Sequence, residues 1–380
     1  MKKIAILGAT GSVGRQALDV IEKFPDRFCV TAMTAHHASE ELLALAKKFG
    51  AKYIGVTGSL GDLEFEKKVP KGVSVGFGIQ GLLESCSVGD PDIVLIAVVG
   101  IAGLPPLIEC LDRGVNVALA NKESLVCGGH IVKQKMKTSK SEVFPVDSEL
   151  CAIYQCLGGM DTTGVRRIIL TASGGPFFDW KKEDIEKATV EQALRHPNWR
   201  MGKKITVDCA TYMNKGLEII EARWLFDLPP EKISVVVHRQ SIIHSMIEYN
   251  DGAVIAQLGP TDMREPIQYA FGHPERLSSV VGYLDFAKIG TLTFHEPDLD
   301  KFPCLRHAMD ALREGGSLPL IMNAANEAAV DLFLERKISF GDIEKNVAVA
   351  MNKFAHLPGN SLIEIYTTDK EVKNYIYNNV

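Results

Sequence analysis

The 380-residue sequence predicts an α/β protein with an N-terminal Rossmann-like doubly wound sheet, a central α+β catalytic domain with a mostly open sheet, and a C-terminal helical bundle. Three observations predict this. Strand-like and helix-like runs alternate from residue 3 to about residue 146, three strand-like runs follow one another between Ile233 and Leu258, and residues 304–380 are helical in pattern. The length exceeds what one core accommodates, so several domains are expected: 1–146, 147–275, a Pro-containing connector over 276–303, and 304–380.

In the first domain KIAIL reads as a strand, Ser12 to Lys23 as a helix, FCVTAMTA as a strand and ELLALAKKF as a helix. DIVLIAVV at 92–99 is a bare apolar run of the kind buried on both faces of a parallel sheet, followed by helical LPPLIECLDRG and the strand VNVALA. Between the first strand and helix lies GATGSVG, Gly8 to Gly14. Its glycines permit a tight turn, and the free N–H groups of the helix start suit a pyrophosphate, so dinucleotide binding is expected. The second strand ends in Ala35, His36 and His37, without the acid that commonly holds an NAD ribose, which favours NADP. ANKESLV follows VNVALA at the carboxyl edge of the sheet, where Asn121, Lys122 and Glu123 are placed to meet nicotinamide or substrate.

In FPVDSE, Asp147 and Glu149 are two apart on a segment read as extended, so both carboxylates can aim at one cation, with Glu218 as third oxygen ligand. The stretch Arg195 to Trp224 reads as a mobile-looking Trp199, a strand, and a helix whose apolar stripe is Met213, Leu217, Ile220 and Trp224. The opposite side of that helix gathers Asn214, Lys215 and Glu218. Trp199, in a polar segment between Pro197 and Gly202, is expected to act as a lid. RRIILTASGGPF runs into Ser173, Gly174, Gly175 and Pro176, a backbone and hydroxyl cradle for phosphate or a plain turn. His238 and His244 belong to no metal motif and are read as structural. The sheet around them, with a hairpin at Asn250–Asp251–Gly252, offers an open edge for a homodimer.

Composition excludes other classes. A net charge of −5, dispersed along the chain, gives no stripe for nucleic acid. The eight cysteines form no CxxC pair and no zinc-like spacing, which fits reduced thiols in a cytoplasmic protein. No segment reads as a signal peptide or a membrane span, so no membrane partner is expected.

GATGSVG, ANKESLV, PVDSE, SGGPF, RHPNWRMG, MNKGLEIIEARWLF, QSIIHSM and NAANEAAV, in this order, closely resemble the 1-deoxy-D-xylulose 5-phosphate reductoisomerase family over nearly the whole chain. The resemblance implies an NADP-dependent, usually homodimeric oxidoreductase of isoprene biosynthesis. It would use Mg2+ or Mn2+, with Co2+ an option, to turn the phosphorylated sugar into 2-C-methyl-D-erythritol 4-phosphate. By resemblance Asp147, Glu149 and Glu218 are the metal ligands and, with Lys122, the catalytic residues. Lys122, Ser148, Glu149, Ser173, His196, Trp199, Cys209, Asn214, Lys215 and Glu218 would meet the substrate. Thr10, Gly11, Ser12, Val13, His36, His37, Asn121, Glu123 and Gly202 would meet NADPH. The chain departs from the family at Cys209, usually Ser, and at His36–His37–Ala38, usually Gly-Ser-Asn or Gly-Lys-Asn. An aspartate-semialdehyde type dehydrogenase using Cys127, Cys151 or Cys209 is a rival that would not need metal, and a nucleotide-sensing module is another.

Overall fold

The structure is a computed structural model and describes residues 1–379. In chain order the first elements are β1 (Lys2–Leu7), α1 (Ser12–Lys23), β2 (Phe28–Ala35), α2 (Glu40–Phe49), β3 (Tyr53–Val56), α3 (Leu63–Glu66), β4 (Ser74–Phe77), α4 (Gly78–Glu84), β5 (Ile93–Ile96), α5 (Leu104–Arg113), β6 (Asn116–Leu119), α6 (Glu123–Thr138), β7 (Val143–Pro145) and α7 (Ser148–Leu157). Then come β8 (Val165–Ala172), α8 (Lys182–Ile185), α9 (Val190–Ala193), α10 (Lys203–Thr211), α11 (Met213–Phe226), β9 (Ile233–Val237), β10 (Ile243–Tyr249), β11 (Val254–Leu258), α12 (Arg264–Gly272), α13 (Phe286–Ile289), α14 (Pro303–Glu314), α15 (Leu318–Leu334), α16 (Phe340–Phe354) and α17 (Leu362–Asn378).

The chain divides into two compact units built from non-contiguous segments. Met1–Ser124, Val132–Cys151 and Asp262–Gly282 form the first, and Leu125–Ile131, Ala152–Thr261 and the chain from Tyr283 onward form the second. The first holds a seven-stranded parallel sheet of order β4-β3-β2-β1-β5-β6-β7. Its β1 and β5 are buried on both faces through Ile4, Ile6, Leu7 and Ile93–Ile96, as the bare apolar runs require. The strand order reverses beside β1, the topology that opens a ligand crevice at the carboxyl ends of the strands.

The second unit holds a four-stranded sheet, order β11-β10-β8-β9, antiparallel except between β8 and β9. The hairpin predicted at Asn250–Asp251–Gly252 joins β10 to β11, with Gly252 at φ 88°. Helices α14 to α17 pack with α10 and α11 on one another, and α15 buries residues on nearly every side. Gly216 lets α11 and α14 approach, since a Cβ there would stand 2.5 Å from the Ala308 Cβ.

Two local expectations are corrected. The segment after Trp199 is not a strand but helix α10, in which Lys204 pairs with Asp208 one turn on at 2.9 Å. Its alternating Ile205, Val207 and Cys209 mimic a strand, yet buried Asp208 also accepts from Asn326 of α15 at 2.8 Å, and that tertiary bond requires helical winding. Asp147 and Glu149 likewise do not share an extended segment. Asp147 caps α7, its Oδ1 accepting from the backbone N–H of Glu149 at 3.1 Å and of Leu150 at 3.4 Å, and Glu149 lies in the first helical turn.

Candidate active site

The glycine turn is built as a phosphate-binding turn requires. Gly8 leaves β1 at φ 97°, and a Cβ there would lie 2.6 Å from the Ala97 carbonyl oxygen. A Cβ on Gly14 would lie 2.2 Å from the Gly8 oxygen, so α1 can start this close to the strand only with glycine at that position. No side chain caps α1, whose N-cap is Gly11, and Thr10 to Val13 are exposed or half-buried around its start. The first N–H groups of the helix thus remain available to an anion.

At the end of β2 both His36 and His37 are exposed. His36 is held: its Nδ1 lies 3.3 Å from Thr57 Oγ1, and a Cβ on Gly58 would come within 3.0 Å of its ring. His37 packs edge-on against it at 4.5 Å. Ser39, two residues on, is committed to its own helix, accepting from the Leu42 N–H at 3.2 Å as the N-cap of α2.

Asn121, Lys122 and Glu123 are all buried at the start of α6. The Asn121 amide donates to the carbonyls of Val98 and Gly100 at 2.9 and 2.8 Å and to Glu123 Oε2 at 3.1 Å, which fixes the loop after β5 against the loop after β6. Lys122 Nζ pairs with Asp147 at 2.7 Å, with both side chains almost fully covered. The Ser148 hydroxyl donates to Glu149 Oε2 at 2.6 Å.

In the second unit, β8 runs into Gly174 and Gly175 at φ 80° and 61°, and a Cβ on Gly175 would stand 2.8 Å from the Cys209 carbonyl oxygen of α10. The close approach sets the Ser173 turn beside half-buried Cys209. His196 accepts at Nδ1 from the N–H groups of Asn198 and Trp199, at 3.2 and 3.0 Å, so in the neutral ring the proton sits on Nε2. Nε2 then donates to Ser173 Oγ at 2.8 Å and leaves the serine O–H to point at an anion. Trp199 is half-buried, its ring centroid 6.1 Å from that of buried His244. Buried His238 is bonded through Nδ1 to the Thr293 carbonyl at 2.9 Å.

On α11, Asn214, Lys215 and Glu218 are buried. Asn214 donates to Glu218 Oε1 at 2.5 Å, and Lys215 donates to Oε2. Asp147 and Glu149 in the first unit and Glu218 in the second are the acidic side chains that could serve as metal ligands. Carboxylates are hard oxygen donors of the kind that suit Mg2+ or Mn2+.

Two bracing residues went unread in the sequence. The Asn198 amide donates to the Arg239 carbonyl at 2.6 Å and to Ser241 Oγ at 3.0 Å, and Arg239 donates to the Gly175 carbonyl at 3.3 Å while covering the Phe178 ring. Arg239 directly precedes QSIIHSM, and that adjacency was the available signal.

Family models described as 1-deoxy-D-xylulose 5-phosphate reductoisomerase, its C-terminal domain, and the DXP reductoisomerase C-terminal domain match residues 4–129, 143–226 and 258–375. A 1-deoxy-D-xylulose 5-phosphate reductoisomerase of Thermoanaerobacter pseudethanolicus is 48% identical, the alignment covering 99% of this chain and 98% of that one. One of Laribacter hongkongensis is 46% identical with the same coverage. A crystal structure of DOX-P reductoisomerase in complex with NADPH, fosmidomycin and magnesium superposes with a TM-score of 0.94 at 39% identity, covering 100% of this chain and 98% of that one. The Zymomonas mobilis enzyme in complex with NADPH gives 0.91 at 39% identity, covering 99% and 98%.

Proposed function

The chain belongs to the 1-deoxy-D-xylulose 5-phosphate reductoisomerase family, and from that premise we propose that Asp147, Glu149 and Glu218 hold the divalent metal of its reaction. The protein is an NADPH- and metal-dependent oxidoreductase that rearranges 1-deoxy-D-xylulose 5-phosphate and reduces the product to 2-C-methyl-D-erythritol 4-phosphate. What supports the metal assignment is membership of the family together with carboxylates at all three positions that the resemblance assigns, Asp147 held by Lys122 and Glu218 by Lys215 within their own units.

Bound there, Mg2+ or Mn2+ supplies Lewis acidity toward the substrate's carbonyl and hydroxyl oxygens, and NADPH supplies the hydride. The chain's own residues position and charge the site. Lys122, against Asp147, and Lys215, against Glu218, keep positive charge beside the acids and would face the substrate's developing negative charge. Asn214 donates to Glu218 Oε1 and so helps to orient its carboxylate. Ser148 and Cys209 would line the substrate, with the cysteine thiol a weaker donor than the family's usual hydroxyl. Ser173, its O–H freed by His196, would donate to the phosphate. Trp199 would cover the substrate and exclude water.

Thr10, Gly11, Ser12 and Val13 would take the pyrophosphate, His36 and His37 the 2′-phosphate, and Asn121, Glu123 and Gly202 the rest of NADPH. The segments 1–146, 147–275, 276–303 and 304–380 would serve as cofactor domain, catalytic and dimerisation domain, connector and helical domain. A homodimer in the cytoplasm fits the reading, supported by the open β11 edge. No helix among the described residues is long and apolar enough to cross a membrane.

NADPH oxidation with 1-deoxy-D-xylulose 5-phosphate tests the assignment. Turnover is expected with Mg2+ or Mn2+ and is expected to vanish with a chelator, returning when metal is restored. Full turnover in chelator would overturn it.

A further inference from the structure

A cavity of about 220 Å³ opens in the helical part of the second unit between α8, the end of α10, the start of α14 and the start of α16. Ile185, Phe302, Cys304 and Phe340 supply its apolar wall, and all four are buried. The space exceeds the roughly 150 Å³ of an engineered cavity that admits benzene. None of the residues assigned above to metal, substrate or NADPH lines it.

The rim is charged and its pairing is uneven. Asp300 is spent on Arg306, Glu344 on His307 at 2.8 Å, and Lys345 on Asp342 at 2.9 Å. Lys182, exposed on the rim, has no carboxylate within ion-pairing distance among the described residues. Lys301 donates to the Phe178 carbonyl and lies over the Phe302 ring at 5.4 Å, and it has no carboxylate within ion-pairing distance among the described residues. Against these two cations stands Glu186, so the rim keeps an excess of positive charge over an apolar floor. That combination selects a ligand with an apolar body and one anionic end, since a neutral apolar molecule would leave the lysines unused and a polyanion would meet Glu186.

We propose that this cavity is a second ligand site, taking a small aryl carboxylate with its ring against Phe302 and Phe340 and its carboxylate toward Lys182 and Lys301. The place is close to the joint between α10 and α11. Thr211, the last residue of α10, lines the cavity, and Tyr212, in the left-handed conformation at φ 65°, stacks on Phe302 at 4.0 Å. An occupant would thus touch residues that set how α11 leaves α10.

Fluorine NMR of 4-fluorobenzoate with the full-length protein, saturated with NADPH and Mg2+, tests this. Saturable line broadening is expected, insensitive to added substrate. Lys182→Glu, an exposed change, is expected to weaken binding by about tenfold or more through loss of a charge-assisted contact. Ile185→Phe, which fills the floor, is expected to abolish it, and fluorobenzene is expected to bind more weakly than the carboxylate. No saturable binding, or binding that both variants retain in full, would overturn the proposal. NADPH oxidation by the same samples reports separately on the catalytic assignment.

Discussion

At the scale of single residues, positions 36, 37 and 209 are where the resemblance implies that this chain departs from the family's usual residues. His36 is occupied with Thr57 and packs over Gly58, whereas exposed His37 packs edge-on against His36, so under the proposed assignment His37 is the one that donates to the 2′-phosphate. A hydrogen bond to a charged acceptor contributes about 1.5–3 kcal/mol, so His37→Gln is expected to lower the NADPH-to-NADH preference by about tenfold or more. Dissociation constants for both cofactors check this. Ser39→Ala is the control: it removes the α2 cap and is expected to cost about 1 kcal/mol of stability with the preference unchanged. If Ser39→Ala shifts the preference and His37→Gln does not, the assignment moves to the serine. The acids at 147, 149 and 218 were readable as a trio in the sequence. Their buried pairing with Lys122 and Lys215 was not, because the sequence does not record which cation each carboxylate meets in the folded chain.

At the scale of elements, largely apolar runs such as FCVTAMTA, buried along nearly its whole length, and amphipathic runs such as Ser12–Lys23, buried on one face, declare themselves. ITVDCAT does not, because β-branched residues at alternate positions suit a strand while the bond from Asn326 to Asp208, 118 residues apart in sequence, holds a helix. The Lys204–Asp208 spacing was the local clue. Asp147 was similarly legible as a helix cap before Ser148. Between α14 and α16 the link is His307 to Glu344. The His307 hydrogen bond, aided by the nearby Lys182 and Lys345 charges, holds the Glu344 carboxyl below its ordinary value despite partial burial. A depressed acid contributes stability that is present above its unfolded value and is lost as pH falls through the folded one. Thermal melting is therefore expected to show a shallower loss of stability from neutral pH down through the carboxylate range in Glu344→Gln than in the parent. Parallel melting curves for the two proteins would refute the link.

At the scale of the whole molecule, fold class followed from the order of patterns, but the interleaving of segments did not. Residues 262–282 return to the first unit and residues 125–131 belong to the second, and packing of this kind leaves no local periodicity to read. The second sheet ends on β11, which pairs with β10 alone and exposes Val254 and Ile255. An apolar, unpaired edge is what a homodimer would cover. If the proposed homodimer pairs through this edge, Ile255→Lys is expected to shift the sedimentation mass from dimer toward monomer at micromolar concentration, and an unchanged mass would refute that pairing. The proposed reaction depends most on one metal held by three carboxylates. Mn2+ binding followed by electron paramagnetic resonance, in the parent and in Asp147→Asn, Glu149→Gln and Glu218→Gln, tests that most directly. One ion per chain is predicted in the parent, with each substitution weakening it by at least the roughly 10–100-fold that loss of a ligand's supporting contacts alone costs. Equal Mn2+ affinity in all four proteins would contradict it.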